Sequence, residues 1–259
     1  MKKIIFILLA TMCHYTFANA QRLSKSDVPT EFVGSANDVA KLSNFAAKSL
    51  DGDILYREAE VNIDADKPAA LVIFLHEAAG RGNDNTKQMQ QEGIYSILNF
   101  MKNNGINGYF AVPQCPENQY WAVSTDAEPY AEKVMNLIYY YKSEKGVDPS
   151  RIYLFGVSMG STGVWELLNS HPQTFAAALA ASGISRGTNA LSIANTPIYS
   201  TVGEKEGSEK YQIFHAAIHQ AQLNGGDAKL DKLKGLNHQD ACVKAFTNER
   251  LKWVFGHVR

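Results

Sequence analysis

Residues 151–168 read RIYLFGVSMGSTGVWELL. Arg151-Ile152-Tyr153-Leu154-Phe155 is a short β-branched and aromatic run, the composition of a buried strand. Ser161 to Leu168 carries an apolar face at helical spacing. Between them stands Gly156-Val157-Ser158-Met159-Gly160, a serine flanked by glycines on a strand-to-helix turn, which is the pattern of a nucleophile elbow. The glycines have a physical reason. The turn is strained, and side chains at Gly156 and Gly160 would collide with the adjoining strand and helix. Such a turn lifts the Ser158 hydroxyl into the open at a helix N-terminus, where the helix dipole favours developing negative charge. Ser158 is therefore the candidate nucleophile, and a structural turn serine is the alternative.

Working outward, strands alternate with helices. Residues 53–63 have the alternating character of an edge strand, and 69–76 (AALVIFLH) form a near-continuous apolar run, the mark of a strand covered on both faces. A helix is expected over 85–104, a strand over 109–112 and a helix over 128–145. After the elbow come strands at 175–181 and 197–202, a helix at 209–223, a strand at 228–233 and one final helix at 241–255. Repeated β-α units imply an α/β fold with a doubly wound, mostly parallel sheet flanked by helices. Ligands of such sheets sit beyond the carboxyl ends of the strands, where every motif of interest here falls.

A serine needs a base within hydrogen-bond reach and a third group to orient that base. For an elbow of this kind the chain order is nucleophile, acid, histidine. His238, after the last strand, is the expected base. The acid is expected after the strand at 197–202, in Gly203-Glu204-Lys205-Glu206-Gly207. Glu206 is preferred, with Glu204 and Asp227 as alternatives. An oxyanion hole takes one N–H from the residue after the nucleophile, Met159, and one from the loop after the first central strand, for which Ala78 is the choice. His215 and His219 stand four apart on an expected helix, a spacing that can bind zinc, but the accompanying glutamate of an H-E-x-x-H motif is absent. The chemistry so read calls for no metal and no cofactor.

Composition excludes other classes. The chain has 259 residues, 45% hydrophobic and 20% charged, with a net charge of −1, which gives no ground for a nucleic-acid partner. Met1-Lys2-Lys3, an apolar stretch from Ile4 to Met12 and Phe17-Ala18-Asn19-Ala20 read as a signal peptide cleaved after Ala20. That leaves a single catalytic domain over 21–259, with 23 basic against 26 acidic residues. No later segment is long and apolar enough to cross a membrane. A periplasmic or secreted product is expected, and export makes Cys115 and Cys242 a candidate disulfide, with two buried thiols as the alternative.

Four segments carry a resemblance to a known family: FLHEAAGRGNDN (74–85), VPQCPENQYW (112–121), DPSRIYLFGVSMGSTGVWELL (148–168), and the Glu206 and His238 turns. With them the chain resembles secreted bacterial carboxylesterases of the α/β-hydrolase superfamily, in the group of feruloyl-esterase-like and polyhydroxybutyrate-depolymerase-like enzymes and single-domain peptidase relatives. The resemblance implies a Ser158, Glu206, His238 triad, with aspartate usual at the position of Glu206, and a small-molecule or carbohydrate ester as substrate. Two departures stand out. Glu77 replaces the usual glycine of the oxyanion loop, where its carboxylate is expected to lie over the mouth of the site, contact substrate or turn to solvent. Ser161 replaces a common glycine and crowds the elbow. Trp121 and Tyr120 are expected either to stack on a sugar or aromatic acyl group or, for Trp121, to pack in the core. A serine peptidase on the same scaffold and a non-catalytic binding protein are the competing readings.

Overall fold

The computed structural model describes residues 41–122, 129–184 and 187–259. The leader expected over residues 1–20 lies outside them. Eight strands form one sheet: β1 (Ala46–Leu50), β2 (Ile54–Val61), β3 (Ala69–Leu75), β4 (Gly108–Pro113), β5 (Val147–Val157), β6 (Ala177–Ala181), β7 (Ile198–Gly203) and β8 (Ala228–Leu233). Their spatial order is β1-β2-β4-β3-β5-β6-β7-β8. β1 and β2 pair antiparallel with their neighbours, and the other six strands run parallel.

The central strands follow from composition. β3 (AALVIFL) is buried almost throughout, and β6 (AALAA) is buried at every position. Strands covered on both faces have no need for polar alternation. The expected edge strand at 53–63 is instead internal, because the short β1 pairs outside it through Ala46↔Glu58 to Leu50↔Ile54. AAKSL is mostly exposed and carries no apolar alternation, so the sequence did not mark it as a strand.

Helices cover both faces. On one side lie α1 (Glu92–Asn103), α6 (His238–Lys244) and α7 (Asn248–Phe255); on the other lie α2 (Ala131–Glu144), α3 (Met159–Ser170) and α5 (Ser208–Leu223), with the short α4 (Ala190–Ile193) beside α3. α1 buries Ile94, Ile97, Leu98 and Met101 at helical spacing. Each such side chain contributes roughly 1.5–3 kcal/mol when removed from water. The helix expected over 85–104 is shorter at its start, where a 3-10 turn spans Lys87–Gln90. The single final helix is two. The first ends at Lys244, and Thr247 caps the second, its Oγ accepting the Arg250 N–H at 3.4 Å.

The disulfide expectation is corrected. Cys115 and Cys242 are both free and buried. Cys115 belongs to the core layer under α2, α3 and α5, and Cys242 to the layer under α1, α6 and α7, so the sheet stands between them. Bridging needs Cα atoms within about 7 Å. Both thiols should resist thiol reagents in the native state and react only on unfolding, and reductant should leave Tm unchanged. A bridge, worth roughly 2–4 kcal/mol, would instead show as a Tm lowered by several degrees on reduction.

Candidate active site

β5 runs straight into α3 through Ser158, whose backbone is held at φ 51°, ψ −115°. A non-glycine residue there is strained and persists only when its surroundings fix it. They do: the Ser158 N–H donates to the Ala181 carbonyl at 2.8 Å, extending the β5–β6 ladder by one bond. A Cβ on Gly160 would lie 1.8 Å from the Leu75 carbonyl oxygen, and one on Gly156 would lie 2.5 Å from that of Gly160. The crowding expected at Ser161 resolves into a bond, its buried Oγ donating to the Gly183 carbonyl at 2.6 Å.

Strand register brings the remaining groups to the same rim. Leu75 is level with Gly156, Val157 with Ala181, Ala181 with Thr201, and Gly203 with Leu233. The loops that follow carry Glu77 and Ala78, Ser158, Ser182, Glu206 and His238. His238 opens α6, capped by Asn237, whose Oδ1 accepts the Asp240 N–H at 2.9 Å. Ser158 Oγ lies 2.8 Å from His238 Nε2, and His238 Nδ1 lies 2.6 Å from Glu206 Oε2. With Oγ–H donating to Nε2, Nδ1 carries the ring hydrogen and donates to the carboxylate. The His238 side chain keeps 42% of its surface exposed, whereas that of Glu206 keeps 3%. The candidate base thus faces solution and the candidate acid does not.

Burial alone would raise the Glu206 carboxyl. Hydrogen bonds from His238, Lys210 and the Gly203 N–H override that and hold it well down, at about 2. Oε1 accepts from Gly203 N–H and from Ser182 Oγ, each at 2.8 Å. Lys210 Nζ ion-pairs with Oε2, the oxygen that also serves His238. Lys210 and Ser182 were not anticipated. Lys210 stands four residues after Glu206, a spacing that signals a helical ion pair; Ser182 follows a different strand and left no local signal. Of the alternative acids, Glu204 accepts the Gly235 N–H at 2.8 Å and Asp227 pairs with His257 at 3.1 Å. Glu204 therefore stitches the acid turn to the loop before His238, alongside the Lys205 N–H bond to the Leu236 carbonyl at 2.9 Å.

The loop after β3 forms a 3-10 turn, Ala78–Gly80. Among the described residues, neither the Ala78 N–H nor the Met159 N–H has a backbone acceptor, so both remain open as donors. His76 anchors the loop. Its Nε2 accepts the Cys115 N–H at 3.0 Å, so Nδ1 is protonated and donates to the Glu77 carbonyl at 2.6 Å. Burial pushes this imidazole down to about 4, keeping it neutral. Gln114 adds bonds to the Gly80 carbonyl at 3.1 Å and the Asp84 carboxylate at 3.0 Å. Segments 74–85 and 112–121 are thus one device.

Burial bears on three of these expectations. Trp121 is fully buried, donates to the His76 carbonyl at 2.9 Å and packs edge-on against the His76 ring, so it is a core residue and not a substrate contact. Tyr120 is 44% exposed, with the Arg81 guanidinium 4.8 Å from its ring. Glu77 is partly buried, with its Oε2 sealed from solvent and without a hydrogen-bond partner. His215 and His219 lie on α5 with ring centroids 6.0 Å apart, and no group of three or more metal-ligating side chains occurs among the described residues.

Against known proteins, the prolyl oligopeptidase family profile matches residues 127–227, a span that takes in Ser158 and Glu206 and stops short of His238. No curated protein matches the chain. By structure it is similar to a thermostable esterase, at 24% identity and TM-score 0.77 over 84% of this chain and 64% of that one. It is also similar to a ferulic acid esterase (12%, TM-score 0.62, 82% and 97% covered) and to the acetyl xylan esterase from Aspergillus awamori (15%, TM-score 0.62, 82% and 98%). The chain spans less than two thirds of the thermostable esterase. The shared architecture is the α/β-hydrolase fold, as the doubly wound sheet implied.

The Glu206 carboxyl supplies a stability test. Its folded value, about 2, lies below its ordinary 4.5. Its contribution is therefore complete above about pH 4.5, on the order of 3 kcal/mol, and is lost as the pH falls through about 2. Urea denaturation of wild type and Glu206→Gln should show a gap at pH near 7 that narrows towards pH near 2. A gap independent of pH would contradict this assignment.

Proposed function

We propose that this chain is a serine esterase that cleaves a carboxylic ester through an acyl-enzyme on Ser158. The observation that carries the reading is the relay from Ser158 Oγ to His238 Nε2 and from His238 Nδ1 to Glu206. His238 takes the Ser158 proton as the oxygen attacks the ester carbonyl. Glu206 holds the ring in the tautomer that can accept it and stabilises the imidazolium that forms. The Met159 and Ala78 N–H groups receive the oxyanion. The imidazolium then gives its proton to the departing alcohol. Water, deprotonated by the same ring, attacks the acyl carbonyl and frees Ser158. Every proton is returned, and the cycle consumes one water per ester.

For the substrate, a carbohydrate-linked or other small ester is favoured. The ferulic acid and acetyl xylan esterases share the fold, and the leader-like first 20 residues suit a protein exported to the periplasm or beyond. A peptidase is the second reading, supported by the prolyl oligopeptidase profile over 127–227.

Wild type should hydrolyse acetylated, feruloylated or simple aliphatic esters and leave a panel of peptide amides intact. Ser158→Ala and His238→Ala should each lower kcat by about 10⁴-fold or more, with circular dichroism unchanged. Cleavage of amides without cleavage of esters would replace the esterase reading with the peptidase one.

A further inference from the structure

Glu77 sits next to Ala78 at the start of the candidate oxyanion loop, yet among the described residues no cation forms an ion pair with it. The Gln91 side chain stands beside its carboxyl. Oε2 remains sealed from solvent with no partner, and so does Oε1 of Gln91. Burial of an unpaired carboxylate is costly enough that such a group takes up a proton instead. A protonated Glu77 has a donor to offer, and the Gln91 amide that contacts it holds an acceptor in need of one.

We propose that Glu77 is a positioning residue that works as the neutral acid. Protonated, it steadies the loop bearing the Ala78 N–H and places no charge there. Ionised, it opposes the anion forming on the ester oxygen and slows acyl transfer. This rests on the esterase reading of the site.

Burial holds the Glu77 carboxyl up at about 7, so the change falls near neutrality. The groups around it do not mimic that change. The His76 imidazole, in the same loop, is pushed down to about 4 by burial. The Cys242 thiol on α6 is pushed up to about 12, by burial first and then by the charges of Glu206 and Glu77. Gln91, just ahead of α1, is an amide with no proton to lose, and Arg81 brings a guanidinium to the end of the 3-10 turn. His238 accepts a proton during the attack, which by itself favours the alkaline side. Glu77 acts in the opposite sense.

The test follows hydrolysis of p-nitrophenyl acetate, and labelling of Ser158 by a fluorophosphonate, from about pH 5 to about pH 9. In wild type both rates should fall about tenfold above pH near 7 as the loop gains a charge. In Glu77→Gln, neutral at every pH, the fall should vanish. Stability should follow: a carboxyl raised above its ordinary 4.5 in the folded state favours folding at low pH, so wild type should lose Tm relative to Glu77→Gln as the pH rises through about 7. Wild-type rates that hold level or rise on the alkaline side overturn the proposal, whether or not the variant folds, as does an equal fall in both proteins. Failure to label Ser158 at any pH overturns the esterase reading, whereas labelling with no alkaline fall overturns only the role of Glu77.

Discussion

The close approach of Gly160 to the Leu75 carbonyl is the constraint on which the rest of the site depends. A methyl group there would sit 1.8 Å from that oxygen, so β5 can turn into α3 against the end of β3 only with glycine in place. That contact sets the elbow beside the loop after β3, while the Ser158 N–H bond to Ala181 holds its strained backbone. The candidate nucleophile and the candidate oxyanion donors are therefore positioned together. Geometry held before substrate arrives needs no reorganisation during the reaction.

A second layer of support is polar and buried. His76 lies in the candidate oxyanion loop, and its two ring nitrogens are both committed, to the Cys115 N–H and the Glu77 carbonyl. It works as a clamp, neutral because it is buried. On the other side of Ser158, Glu206 gathers His238, Lys210, Ser182 and the Gly203 N–H around one carboxylate. Four donors on two oxygens leave the acid little freedom, and the base inherits that order. Lys210 and His238 share Oε2, so a single carboxylate oxygen serves both the ammonium and the imidazole.

Legibility in the sequence followed the range of the interactions. The elbow was readable because strand, glycines, serine and helix are contiguous. The parallel sheet was readable from apolar runs such as AALVIFL. His238 followed from chain order, and the choice between Glu206 and Glu204 needed the folded turn, since both occupy one five-residue loop. What escaped was non-local or weakly patterned. Strand β1 is exposed and lacks alternation, Ser182 reaches Glu206 from another strand, and the separation of Cys115 from Cys242 depends on which face of the sheet each occupies. The burial of Glu77 Oε2 belongs to the same class, because it depends on how separate elements pack around the loop.

The central claim is that Ser158 carries the acyl group during turnover. The most direct measurement is acid quenching of the enzyme while it turns over p-nitrophenyl acetate, followed by mass mapping of the acetylated peptide. The acetyl group should be found on Ser158, and it should be missing when His238 is replaced by alanine. Steady ester hydrolysis with no acyl-enzyme, or with the acetyl group on another residue, would contradict the account.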